Sequence, residues 1–273
     1  MKLLEGKKGL VLGVLNEKSI AWGIAKDLFE NGAEMALTYL GEAGEKRVVP
    51  MAQQINCNIT IPCNVSSDED INNVFKVVEE KFGKLDFLIH AIAFSDKNEL
   101  RGDFVNTTRE NFKNTLDISC YSLIALARGA KPLMVKAGGG SILSLTYFAS
   151  EKVIPNYNAM AIAKSALETS TKYLAYDLGK DNIRVNCISS GPIKTLASSG
   201  IGGISNMLKY NELNSPLKRN VSQEDNGKLA SFLVSESARN ITGEIIHLDA
   251  GFNIMGMKDP KTENIVFEGG IVE

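Results

Sequence analysis

The feature that most constrains the fold is an alternation of short apolar runs with longer segments of helical periodicity. The first apolar run, at 8–14, is followed at 19–32 by a segment in which Ile20, Ile24 and Leu28 recur every four residues. The later segments of helical character include 68–83, 112–128 and 157–179. The other apolar runs lie at 34–40, 58–65, 85–93, 140–148, 183–190 and 243–251.

These apolar runs show little alternation of polar and apolar residues, which is typical of strands buried on both faces of a parallel sheet. Helices between successive strands supply the cover for both faces. The sequence therefore predicts a Rossmann-like, doubly wound α/β fold with a parallel sheet of about seven strands. We expect a single domain over residues 1–257 and a C-terminal tail at 258–273, where helical periodicity is absent.

Charge and composition exclude several classes of partner. The 273 residues include 30 Lys and Arg against 32 Asp and Glu, without a basic cluster, which argues against nucleic acid as a partner. No apolar run reaches the ~18 residues of a membrane span, and Glu5, Lys7 and Lys8 interrupt any secretory signal. Four cysteines without a C-x-x-C pair, beside two histidines, give no metal-binding pattern. We expect a cytoplasmic protein with reduced cysteines and no metal.

In an open parallel sheet, ligands bind at the carboxyl ends of the strands. The turn after the first run contains Gly13, and Ser19 lies where a helix N-cap is expected, so backbone amides and a hydroxyl can meet a phosphate there. The glycines do not form G-x-G-x-x-G, and an ordinary turn is the alternative. In dinucleotide-binding enzymes, the end of the second strand meets the adenosine ribose or its 2′-phosphate. No Arg or Lys lies between Tyr39 and Glu45 to bind a 2′-phosphate, so the sequence favours NADH over NADPH as the dinucleotide.

Two tyrosines and a lysine form the candidate catalytic group. Tyr147 lies at the end of the fifth apolar run, Tyr157 opens a long helical segment, and Lys164 follows seven residues later. Seven residues make about two helical turns, so Tyr157 and Lys164 share a face. We expect the ammonium to lower the pKa of the phenol and make it a usable acid. Packing and solvation are the alternative role for these side chains.

Four short motifs carry a family resemblance: G-x5-S-I-A-x-G at 13–23, I-P-N-Y-N at 154–158, Tyr157 and Lys164 with six residues between them, and S-G-P-I-K-T-L-A at 190–197. In this order they resemble the NADH-dependent enoyl-acyl-carrier-protein reductases of bacterial fatty-acid synthesis, within the short-chain dehydrogenase/reductase superfamily. The resemblance covers residues from about 3 to 257. It implies a homotetramer that reduces a trans-2-enoyl thioester on acyl carrier protein with NADH.

The resemblance also implies a role for each matching residue. Tyr157 would donate to the substrate's thioester oxygen, Lys164 would hold the NAD ribose, and Tyr147 would be a second active-site tyrosine. Ser95 would meet the substrate. The implied cofactor contacts are Gly13, Ser19 and Ile20 at the pyrophosphate, Leu40 near the adenosine ribose, Asn64 and Val65 at the adenine, Ile92 near the nicotinamide ribose, and Ile193, Lys194, Thr195, Leu196 and Ala197 over the nicotinamide and phosphates.

Two rival functions stay open at this point. A carbonyl or 3-oxoacyl reductase of the same superfamily would carry a tyrosine four residues before the lysine, where this chain has Met160. A nucleotide-sensing regulator would keep the fold without its chemistry, since a fold does not fix a function. Such a regulator should have lost Tyr157 or Lys164, and this chain retains both.

Two further segments carry expectations. The segment 195–210 follows the sixth run and has three glycines and four Ser or Thr residues, which weaken a helix. Its apolar residues are Leu196, Ile201, Ile204, Met207 and Leu208. We expect a lid over the site, with a static surface helix as the alternative. The helix expected at 112–128 is apolar on more than one face, which favours an oligomer contact over a helix deep in its own core.

Overall fold

One parallel sheet organises the fold. The computed structural model describes residues 2–198 and 203–258. Every strand pairing in the sheet is parallel, in the order β3-β2-β1-β4-β5-β6-β7. This arrangement confirms the predicted seven-stranded parallel sheet. The strands are β1 (Lys8–Leu12), β2 (Glu34–Tyr39), β3 (Ile59–Pro62), β4 (Phe87–His90), β5 (Gly140–Thr146), β6 (Ile183–Ser190) and β7 (Ile245–Leu248).

Helices cover both faces of this sheet. They are α1 (Ile20–Glu30), α2 (Gly41–Gln54), α3 (Asp68–Phe82), α4 (Arg109–Leu116), α5 (Ser122–Lys136), α6 (Asn158–Gly179), α7 (Ile204–Asn214) and α8 (Gln223–Val234). Helices α1, α2 and α8 pack on one face, and α3, α5 and α6 pack on the other. Among the helices of the described ranges, none combines the length and apolar character needed to cross a membrane.

The strands are apolar throughout because each side of the sheet has its own core. Neighbouring residues of β4 illustrate this: Leu88 packs with α3, α5 and α6, whereas Ile89 packs with α1 and α8. Local signals set the helix bounds. In α3, the Ser67 hydroxyl accepts a hydrogen bond from the Asp70 amide at 3.2 Å, and Gly83 ends the helix at a φ of +70°.

Two expectations about the elements need adjustment, and two others fall partly outside the described residues. The apolar run 85–93 becomes a strand only to His90, because the pairing of β4 with its neighbours ends there. The helix expected at 112–128 is interrupted by a π-helical turn, Asp117–Tyr121, between α4 and α5. Of the tail expected at 258–273, only Lys258 is among the described residues, and residues 199–202 of the expected lid lie outside them.

Candidate active site

All the expected site residues follow the carboxyl ends of the strands or open the long helix beside them. Gly13, Ser19 and Ile20 follow β1, and the remaining cofactor candidates follow β2, β3, β4 and β6. Tyr147 follows β5, and Tyr157 caps α6. Since the strands are parallel, these residues lie along one edge of the sheet, as expected for an α/β binding site.

The turn after β1 leaves the start of α1 open to a ligand. Gly13 has a φ of +100°, and a Cβ there would lie 2.1 Å from the Ala91 carbonyl oxygen, so only glycine fits. Ser19 is the N-cap of α1, but its hydroxyl accepts from the Leu15 and Asn16 amides, each at 3.1 Å, and makes no cap bond. Side chains do cap α3, α4 and α8. Without a cap or an acid in its first turn, α1 can offer its amides to an anion.

Tyr147 and Tyr157 form an aromatic pair at this edge. Their ring centroids are 5.1 Å apart with an interplanar angle of 54°. Burial raises the pKa of Tyr147 to about 12 and the pKa of Tyr157 further, with the neighbouring Tyr147 adding to the latter shift. The expected lowering of the Tyr157 pKa by Lys164 is therefore wrong, because burial and the neighbouring Tyr147 both shift this pKa upward. The stable form of Tyr157 is a neutral phenol, which is a hydrogen-bond donor.

Lys164 is a buried cation on α6. Its side chain is only 5% exposed, and its amine donates a hydrogen bond to the Leu145 carbonyl oxygen at 2.8 Å. Burial lowers the pKa of Lys164 to about 8, while Cys187, Cys120 and Glu168 act in the opposite direction. The ammonium is thus directed toward the end of β5, close to where Tyr147 begins.

The backbone on both sides of Tyr157 adopts an uncommon conformation. Asn156 has a φ of +62° and Asn158 a φ of +34°, in the region that asparagine tolerates better than most residues. The Asn158 amide donates to the carbonyl oxygens of Glu99 at 3.0 Å and Gly102 at 3.2 Å, which fixes Tyr157 against that loop. Strained backbone of this kind concentrates at functional sites. The I-P-N-Y-N motif at 154–158 marks this segment in the sequence, but the sequence alone assigns the two asparagines no role.

The structure turns the Ser95 hydroxyl into the protein. Ser95 is buried, and its hydroxyl donates to the Asn111 side-chain oxygen at 3.3 Å and accepts from the Thr115 hydroxyl at 2.9 Å. A substrate contact at Ser95 would therefore use the backbone instead of the hydroxyl. The neighbouring Phe94 is 52% exposed, and Leu196, at the far side of the edge, is 44% exposed. These two side chains offer apolar surface on which a ligand can pack.

The other cofactor candidates form an accessible border. Leu40 is 64% exposed at the start of α2, Asn64 is exposed, and Val65 and Ile92 are half-buried. After β6, the Ser198 hydroxyl accepts from the Thr195 amide at 2.8 Å and donates to the Ile193 carbonyl oxygen at 2.9 Å, which folds this stretch into a turn. Lys194, Leu196 and Ala197 of that turn are exposed.

The described part of the expected lid is not buried, although the Tyr210 ring centroid lies 6.0 Å from the Phe252 ring centroid. Within 203–210, all residues are half-buried or exposed, including Ile204, Met207 and Leu208. The first buried residue of α7 is Asn211. Elsewhere in the described ranges, no group of three or more His, Cys, Asp or Glu side chains comes together as metal ligands.

Comparisons with known proteins agree on one family. A family model described as enoyl-(acyl carrier protein) reductase matches residues 13–253. The NADH-dependent enoyl-acyl-carrier-protein reductase FabI of Rickettsia felis is 55% identical over 254 residues, which cover 93% of this chain and 97% of the relative. A second relative, NADH-dependent enoyl-acyl-carrier-protein reductase 1 of Rhizobium meliloti, is 54% identical over 256 residues, covering 94% of this chain and 93% of the relative.

A solved structure gives the same result for the fold. The enoyl-acyl-carrier-protein reductase of Anaplasma phagocytophilum, crystallised in complex with NAD, superimposes with a TM-score of 0.91 at 53% sequence identity. The match covers 94% of this chain and 98% of that structure. The two structures therefore share the fold over most of their length.

Proposed function

This chain belongs to the enoyl-(acyl carrier protein) reductase family, and we propose that it reduces the double bond of a trans-2-enoyl thioester on acyl carrier protein with NADH. It is an oxidoreductase of fatty-acid synthesis, and the reaction is the last reductive step of each elongation cycle. The observation that carries this proposal is the neutral, desolvated phenol of Tyr157 beside Tyr147, with Lys164 on the same helix.

Tyr157 supplies the group that stabilises developing charge. When a hydride reaches the β-carbon of the enoyl thioester, negative charge develops on the thioester oxygen as an enolate. The Tyr157 phenol donates a hydrogen bond to that oxygen, and because this tyrosine is only 8% exposed, the bond is stronger than it would be in solvent. A donor of this kind typically contributes about 10²–10³ in rate. A proton from solvent completes the reaction at the α-carbon.

The described residues fit NADH, which supplies the hydride when it is bound. The uncapped first turn of α1 and the close backbone approach at Gly13 suit a pyrophosphate. Lys164 would hold ribose hydroxyls with its ammonium. Leu40, Asn64 and Val65 would line the adenosine side, and Ile92 with residues 193–197 the nicotinamide side. Glu42 and Glu45 disfavour a 2′-phosphate.

Tyr147 and the 195–210 segment would enclose the substrate. Tyr147 restricts the ring of Tyr157 by packing against it, with 5.1 Å between the ring centroids. Half-buried apolar side chains in the first turns of α7 would gain a partner when an acyl chain lies across the site. Hydrogen exchange at 203–210 should slow when NADH and a non-reactive acyl analogue bind. Equal protection without ligand would mean a static helix.

In this proposal, residues 1–257 form one domain with its lid, and 258–273 form a tail.

A homotetramer is supported by the outer surface of α6. Tyr173 is 71% exposed and Tyr176 is 86% exposed, beside a groove of about 300 Å³ between α5 and α6. Ile124 of α5 lines that groove, whereas Leu123 and Leu126 of the same helix are buried in the chain's own core. Light scattering should return four times the chain mass of 29.6 kDa. A mass of one chain at micromolar concentration would contradict the assembly.

The four free, buried cysteines support a cytoplasmic location.

One assay tests the function directly. Loss of NADH absorbance is followed with a trans-2-dodecenoyl thioester and, in parallel, with an acetoacetyl thioester. We expect consumption of NADH with the enoyl substrate alone, because Met160 stands where a 3-oxoacyl reductase needs a tyrosine. Consumption with only the acetoacetyl thioester would contradict the proposal. NADH binding without turnover of either thioester would favour a nucleotide-sensing regulator.

A further inference from the structure

Three consecutive residues at the end of β5 each make a hydrogen bond to a polar side chain of another element: His90 and Lys164, which are buried, and Glu168, which is half-buried. The Ser144 hydroxyl lies 2.8 Å from the His90 imidazole Nδ1, and the Leu145 carbonyl oxygen accepts from the Lys164 amine at 2.8 Å. The Thr146 hydroxyl donates to the Glu168 carboxylate at 2.6 Å. Lys164 and Glu168 lie one turn apart on α6, so this helix holds two successive positions of the strand immediately before Tyr147.

Glu168 also differs in charge from the other groups that act on Lys164. Four titratable side chains from the surrounding elements interact electrostatically with Lys164: Cys187 of β6, Cys120 of the π-helical turn, His90 of β4 and Glu168 of α6. Burial raises the pKa of Cys187 to about 12 and also raises the pKa of Cys120, so both thiols stay protonated. Burial lowers the pKa of His90 to about 3, so the imidazole stays neutral.

Glu168 is the one carboxylic acid among these four groups. Its hydrogen bond from Thr146, whose side chain is buried, fixes the carboxylate beside the strand end. A negative charge in this position opposes the desolvation of the nearby ammonium. The same hydrogen bond fixes Thr146, and therefore the point from which Tyr147 extends toward Tyr157.

We propose that Glu168 is a positioning residue of the reductase site, which anchors the end of β5 through Thr146 and supplies the negative charge that balances Lys164. This inference rests on the proposed function, because it assumes that Lys164 binds NADH and that Tyr147 and Tyr157 meet the substrate. The two parts of the role use different atoms: the anchor needs an acceptor for the Thr146 hydroxyl, and the charge balance needs an anion.

Two substitutions separate these parts. Glu168→Gln retains an oxygen that accepts from Thr146 but removes the charge. Thr146→Val retains the size and the Glu168 charge but removes the hydrogen bond. The Kd for NADH is measured from about pH 6 to pH 10 by fluorescence, and kcat with the enoyl thioester is measured at about pH 6.5. The control is Glu80→Gln, which makes the same substitution at an exposed glutamate on α3.

We expect Glu168→Gln to bind NADH as wild type does at low pH. As the pH rises, the variant should lose affinity for NADH about half a pH unit to one pH unit below the pH at which wild type loses it. Glu168→Asp should restore the wild-type pH profile. Thr146→Val should leave the pH profile in place and lower kcat several-fold. Glu80→Gln should change neither quantity.

An unchanged pH profile for NADH binding in Glu168→Gln would overturn the charge-balancing role. A wild-type kcat in Thr146→Val would overturn the anchoring role. Because NADH binding is measured without turnover, its pH profile stays informative even if the enoyl thioester is not reduced. Failure of the proposed function would appear separately, as wild-type protein that binds NADH and leaves the enoyl thioester unchanged.

Discussion

A buried charge has different partners at the two edges of the sheet, the amino edge, where the strands begin, and the carboxyl edge, where they end. At the amino edge, Asp86 is 7% exposed, and its carboxylate accepts from the Lys8 amide at 2.8 Å. It also forms ion pairs with Lys84 at 3.0 Å and Lys7 at 3.4 Å. At the carboxyl edge, Lys164 is 5% exposed, but its hydrogen bond at 2.8 Å goes to a neutral carbonyl oxygen.

This difference separates scaffold from site. A buried charge with hydrogen-bonded opposite charges around it is satisfied within the chain and has little capacity left for a ligand. The Lys164 ammonium instead donates to a neutral carbonyl oxygen, and burial lowers its pKa even though the Glu168 charge acts in the opposite direction, so a ligand can still complete its surroundings. We therefore expect changes at the amino edge to affect folding, and changes at the carboxyl edge to affect catalysis and cofactor binding.

The largest expected effect is at the carboxyl edge. Tyr157→Phe should lower kcat by about 10²–10³, or roughly 3–4 kcal/mol, because the donor to the thioester oxygen is lost. The Kd for NADH should stay within about twofold of wild type. Steady-state kinetics and fluorescence titration measure the two quantities. Tyr121→Phe, at a 42% exposed tyrosine, is the control. Wild-type turnover in Tyr157→Phe would remove this tyrosine from the chemistry.

Asp86→Asn should give the opposite pattern at the amino edge. Removing the charge weakens the hydrogen-bonded ion pairs with Lys7 and Lys84, whose side chains are 32% and 38% exposed, so we expect a loss of about 2 kcal/mol of unfolding free energy. The KM values for NADH and the thioester should not change below the unfolding temperature. Urea unfolding and kinetics at moderate temperature measure these effects. A catalytic defect without a loss of stability would break the contrast between the edges.

Lys164→Met should stabilise the fold near pH 7 while it abolishes NADH binding. The pKa of Lys164 falls from 10.5 to about 8 on folding, so the charged amine costs stability below pH 8. That cost declines as pH rises from about 8 to 10.5 and is absent above this window. Allowing for the lost hydrogen bond, we expect a gain of about 2 kcal/mol. Unfolding at about pH 7 and about pH 10 tests this: the advantage of the methionine variant should shrink at the higher pH, and a constant difference would mean that the buried charge is not its cause.

The smallest expected effect concerns cofactor choice at Leu40, which is 64% exposed at the end of β2. Leu40→Arg places a guanidinium where a 2′-phosphate would lie, so the ratio of kcat/KM values for NADPH and NADH should rise about tenfold, or roughly 1.4 kcal/mol. Leu40→Gln, which adds no charge, is the matched control. An unchanged ratio in the arginine variant would mean that the adenosine ribose lies elsewhere.

The fold and the location of the site follow from the sequence, because both depend on the order of the elements. Apolar runs separated by helices predict a parallel sheet, and a parallel sheet collects Gly13, Leu40, Ile92 and Tyr147 at one edge. Strand ends were less predictable. The run 85–93 stays apolar beyond His90, where the pairing of β4 ends.

The chemistry within the site depended on depth and on partners distant in the chain. The spacing predicts that Tyr157 and Lys164 share a helix face, but it does not show how far each side chain is desolvated. Desolvation reverses the expected direction of the Tyr157 pKa shift. The orientation of Ser95 depends on Thr115 and its neighbours in α4. Glu168 showed no signal in the sequence, because its contact with Thr146 joins two elements 22 residues apart.

The most direct test of the central claim follows the transferred hydride. The protein is supplied with a trans-2-dodecenoyl thioester and NADH carrying deuterium at both C4 positions, and the product is examined by NMR and mass spectrometry. We predict a saturated acyl thioester with one deuterium on the β-carbon and a solvent proton on the α-carbon. A product without deuterium, or with deuterium on any other carbon, would contradict enoyl reduction at this site.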